Sequence, residues 1–97
     1  MNKQHANKER TEVLTTETER LPTQFLEREL DLSDTLIQLV QADRNYGHNE
    51  HAAQGIEHVT QALRVVRKFI SEVESPGDRE RIATRLEALE VEFAKLV

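Results

Sequence analysis

The 97-residue sequence contains no cysteine and no tryptophan, only three glycines and two prolines, and just 4% aromatic residues. Without cysteine there can be no disulfide framework, no thiolate metal site and no thiol nucleophile, and the chain fits a reducing compartment. The scarcity of glycine and proline removes most of the tight turns that an all-β domain of this length would need. Residues 1–20 hold no signal-peptide core, and no apolar run approaches the length of a membrane span, which predicts a soluble, cytoplasmic chain. The formal net charge is −5, with cations scattered among more numerous carboxylates. Such a field repels nucleic acid and anionic lipid, so neither is expected as a partner.

The usual catalytic signatures are missing as well. No serine stands in a nucleophile-elbow sequence, no glycine-rich phosphate loop occurs, and Glu72 and Glu74 would point to different sides of a helix. No reaction can be assembled from these residues, and the chain reads as a non-enzyme without a cofactor.

What is present is helical patterning. Residues are 37% hydrophobic and 32% charged, rich in helix formers. Between His48 and Val73, the residues Ala52, Ile56, Val59, Leu63, Val66, Ile70 and Val73 recur at alternating steps of four and three, the spacing of an apolar seam on one helix. Gly55, Ala62 and Phe69 follow at seven-residue intervals along a flank of that helix, with Val65 beside them. Two apolar strips imply two packing partners, and Gly55 would let one come close.

Upstream, residues 1–20 form a charge-balanced polar stretch with Val13 and Leu14 as its only large apolar residues after Met1, predicting a disordered arm unless a partner or the bundle orders it. Pro22 suits the first turn of a helix. From Phe25 a broad stripe of Leu26, Leu30, Leu32, Leu36, Ile37, Leu39 and Val40 is wide enough to touch two neighbours. Asp31, Ser33 and Asp34 could instead cap a new helix and split this segment. Asn45-Tyr46-Gly47-His48-Asn49 then reads as a helix–helix turn, with Gly47 in the left-handed conformation and Asn49 as the next cap. Ser75-Pro76-Gly77-Asp78 is a second boundary, with serine as cap and proline in the first helical position. Ile82, Leu86, Leu89, Phe93 and Leu96 carry the third seam. The sum is an all-α, antiparallel three-helix bundle over residues 21–97, with helices at about 22–46, 49–74 and 76–97.

Two sets of residues are candidates for function. Tyr46, Gly55, Ala62 and Phe69 would line a groove beside helix 2 for a helix or peptide of another protein, a face of helices 1 and 3 being the alternative docking place. Asp43, projected onto the apolar face of helix 1, could pair with His48 or His51, accept hydrogen bonds from the start of helix 2, or join them and Tyr46 in a small-ligand or metal site. His51 and His58 are separated by roughly 10 Å along a helix axis, too far to share one ion, and Asp43 is the third ligand that His48 and His51 would need. Phe25, Phe69 and Phe93 read as core, and Tyr46 as the surface aromatic. Arg64, Arg67 and Lys68 read as a solvated face.

Around the turn, Asp43, Tyr46, Ala52, Gly55, Val59, Ala62 and Leu63 resemble the small-and-large pattern of a tetratricopeptide helix pair, with Glu50 where that family prefers glycine and no second copy in the chain. The region from Phe25 to Val97 is also similar in layout to the microtubule-interacting-and-trafficking domain, with Asp43 and Ala52 corresponding after a one-residue shift in the turn. Both resemblances imply binding of a partner's helix or peptide between helices. The wide stripes also leave room for a homodimer, since so small a core need not cover them.

Overall fold

The structure, a computed structural model, is described for residues 22–97; the polar arm expected over residues 1–20 lies outside the described residues. Three helices, α1 (Asn2–Asn45), α2 (Asn49–Phe69) and α3 (Pro76–Ala94), make up the fold, with a single 3₁₀ turn at Ile70–Glu72 and no strand among the described residues. The expected all-α three-helix bundle is the observed architecture. Pro22, the first described residue, lies within α1 and not in its first turn.

The helices run up, down and up. Asp43 meets His51 and Val40 meets Gly55 across α1 and α2, so the two helices run antiparallel. On the other side, Glu27 pairs with Arg81 and Asp31 with Arg85, a step of four on each helix, which makes α1 and α3 parallel neighbours. The hydrogen bond that Arg81 donates to the Glu27 carboxylate, reinforced by the carboxylate's charge, raises the pKa of the guanidinium further.

The core is narrower on α1 than the sequence suggests. Among the described residues of α1 only Leu26, Leu30, Ser33, Ile37 and Val40 are buried, at steps of four, three, four and three. These face Ala52, Val59, Leu63 and Val66 of α2 and Ile82, Leu86 and Leu89 of α3 in one cluster. Burying a leucine fully contributes about 2 kcal/mol, so this seam is the main source of stability. Ser33 does not split the helix: it is fully buried, and its hydroxyl donates to the Glu29 carbonyl at 2.8 Å. That back-bond satisfies a polar group inside the seam without breaking α1.

Both turns follow their sequence signals. Gly47 has φ of +76°, its N–H donates to the Arg44 carbonyl, and the N–H of His48 donates to the Asp43 carbonyl at 2.8 Å. This is a Schellman ending, which requires the left-handed residue that glycine supplies. The cap of α2 is His48 and not Asn49, which stands as the first helical residue, and no side chain caps that end. At the second boundary Ser75 caps α3 by accepting from the Asp78 N–H at 3.3 Å, with Pro76 at the first position. The Asp78 carboxylate turns to Arg81 at 3.0 Å.

Helix α2 ends at Phe69, five residues short of the expected 74, and tightens into the 3₁₀ turn. The residue before a proline is pushed out of helical geometry, and Ser75 is extended accordingly at φ −73° and ψ 118°. Val73, likewise extended, still reaches the core at 1% exposure. Helix α3 ends at Ala94, and Leu96 is buried just beyond it.

Candidate interaction groove

A second line of apolar side chains runs along α1 outside the core. Phe25, Leu32 and Leu39 stand seven residues apart and are 46%, 49% and 50% exposed; Tyr46, seven further and just past the helix end, is 79% exposed. Seven residues fall about 20° short of two turns, so these side chains form a gently winding ridge. Phe25 therefore belongs to this ridge and not to the core, whereas Phe69 and Phe93 pack against the core as expected, and Tyr46 is the surface aromatic anticipated. Glu27 and Asp31, on the opposite flank of α1, are engaged by α3, so the ridge lies on the side next to α2.

Between the ridge and α2 lies a groove of about 160 Å³. Leu36, Leu39, Val40 and Gly55 form its apolar floor and wall, and Asp43, His51, Gln54 and His58 ring it with polar groups. Gly55 sets its depth. A Cβ there would lie 2.5 Å from Val40 Cγ2, a contact that side-chain atoms cannot make, so the close approach of α1 and α2 depends on glycine.

The two candidate sets expected from sequence thus fall on neighbouring parts of one surface. Gly55, Asp43 and His51 line the groove together, and His48 and Tyr46 stand at its end, their rings 6.3 Å apart. Ala62 is buried at 5% exposure and Phe69 is half-buried against the core, so these two belong to internal packing and do not present a free flank. The ridge of Phe25, Leu32 and Leu39 is what the sequence reading missed. Its signal is the seven-residue spacing itself, hidden within a stripe that looked uniformly apolar.

At the turn, His51 Nδ1 lies 2.8 Å from Asp43 Oδ2 and His48 Nδ1 lies 3.8 Å from Asp43 Oδ1. The Schellman ending brings His48 and Asp43 together at positions where helices commonly place a hydrophobic contact. The Asp43 side chain is 16% exposed and the histidines are largely in solvent. Asp43 pairs with histidine, one of the arrangements the sequence left open. Among the described residues, no three His, Cys, Asp or Glu side chains assemble as a metal-binding group.

Elsewhere the described surface mixes ion pairs with exposed apolar side chains, Val91 and Val97 among them. A groove between α2 and α3 is bridged by the Arg67–Glu90 ion pair, and Lys68 lies 5.4 Å from the centre of the Phe69 ring. Among the described residues no helix is long and apolar enough to cross a membrane. In comparisons with known proteins, the chain matches no family model, no curated protein and no solved structure.

Proposed function

We propose that this chain is a non-enzymatic helical module that binds a helix of a protein partner along α1, beside α2. The observation that carries the reading is the ridge of Phe25, Leu32 and Leu39, each about half exposed at seven-residue spacing beside an apolar groove. A regular apolar line on a helix that already buries a separate seam has the form of a second helix-packing surface. Scattered surface leucines need no explanation; a periodic line of them beside a groove does.

The polar ends of the surface suit recognition by orientation. Asp43, His48 and His51 close one end of the groove, where polar groups would set the direction of an incoming helix more than its affinity. The test is retention of a protein by the immobilised chain, comparing the parent with Leu32→Asp after circular dichroism has established that both are folded. Loss of the retained protein from the variant supports the reading. Equal retention by parent and variant, or none by either, overturns it.

A further inference from the structure

We propose that the groove between α1 and α2 is a charge-selecting socket set by the protonation of His48 and His51: above the histidine range it takes an apolar group that carries a cation, and below that range one that carries an anion. The inference rests on the interaction reading above, since the group taken is a side chain of the bound helix. The floor fixes the apolar part. A space of about 160 Å³ lined by Leu36, Leu39, Val40 and Gly55 holds one group the size of a leucine side chain or an aromatic ring.

The mouth fixes the charge. An ionised carboxylate only accepts hydrogen bonds, so the 2.8 Å contact with Asp43 requires a neutral His51 to carry its proton on Nδ1 and leaves Nε2 as a lone pair. That hydrogen bond does not cancel the charge. A carboxylate has about four acceptor sites, of which His51 uses one, so Asp43 and His51 together still offer acceptors to an incoming N–H. Glu50 on α2 shares an outer hollow with His48 and His51 and adds a second carboxylate; Arg44 follows Asp43 on α1, and among the described residues none of α3 lines the groove. The mouth is therefore net negative while its histidines are neutral. Protonation of His48, His51 and His58, which lines the same groove, outweighs the two carboxylates and turns Nε2 of His51 into a donor. Charge and hydrogen-bonding sense reverse together.

The test titrates the full chain at low salt with two probes of similar size that keep their charges from pH 5 to pH 8, 2-phenylethylammonium and 2-phenylethanesulfonate, and follows leucine and valine methyls by NMR. At pH 8 the ammonium should shift Leu36, Leu39 and Val40 and bind at least about threefold more tightly than the sulfonate; at pH 5 the order should reverse. His48→Gln combined with His51→Gln changes two exposed side chains, should leave the circular dichroism spectrum unchanged, and should abolish the reversal. The same order at both pH values in the parent, or no shift of the groove methyls with either probe, overturns the socket. A reversal that survives the double substitution overturns the assignment to His48 and His51. If the socket fails while Leu32→Asp still loses a retained protein, the interaction reading stands without it.

Discussion

Leu30→Ala is expected to remove about 3 kcal/mol of stability, seen as a lowered urea midpoint with little change in slope. Leu30 is fully buried in the middle of the α1 seam, between α2 and α3, and truncating it leaves a cavity that neighbouring helices cannot close. A domain of this size has on the order of 5 kcal/mol to lose, so the variant should approach the folding threshold. Leu32→Ala is the control. It makes the same chemical change two residues away at a site that is 49% exposed, and should cost less than about 1 kcal/mol when measured on dilute chain. Equal losses from the two substitutions would contradict the division of α1 into a buried seam and an exposed ridge.

Ala62→Glu should be worse still, with a loss above about 3 kcal/mol and no cooperative unfolding transition at ambient temperature. Ala62 is 5% exposed and lies two turns beyond Gly55 on the same line of α2, the line along which a Cβ is directed at α1. The antiparallel register puts it at the level of Ser33, whose hydroxyl already uses its donor on the Glu29 carbonyl. A glutamate there must separate the helices or bury an unpaired carboxylate. Ala62→Ser, close in volume, should fold and lose less than about 1.5 kcal/mol, showing that the defect comes from size and charge. Thermal unfolding followed by circular dichroism distinguishes these outcomes.

These two positions also show what can be read from the chain before its structure is known. Gly47, Ser75 and Pro76 announce the turns because each answers a local backbone requirement: a left-handed residue, a cap acceptor, a fixed φ. The α2 seam is legible because its periodicity is interrupted by nothing. On α1, by contrast, leucines occupy two lines, and local sequence does not say which line is buried. That choice is made across the interface by Gly55 and Ala62, whose small size draws α2 onto the line containing Ser33 and Val40 and leaves Leu32 and Leu39 outside. Ser33 hides the choice further, since a polar residue looks out of place in a seam until its back-bond is seen. The end of α2 was displaced for a similar reason: Ile70 and Val73 continue the helical spacing, yet the chain must turn before Pro76, and Val73 reaches the core from an extended segment.

At the site, the pairing of Asp43 with histidine was among the arrangements the sequence offered, because Gly47 fixes the turn that joins them. The flank of Gly55, Ala62 and Phe69 was legible as a packing strip, but its occupant is α1 of the same chain over much of its length. An apolar strip in a sequence does not say whether its partner lies within the molecule or outside it.

The central claim is that the outer line of α1 is a surface for packing another helix. Methyl resonances of the leucines, followed by NMR as a protein retained by the chain is added, test it residue by residue. Leu32, Leu36 and Leu39 should shift together with a single association curve while Leu86 and Leu89, buried on α3, stay in place. Shifts confined to the α3 side, or no response of the Leu32 and Leu39 methyls, would contradict it.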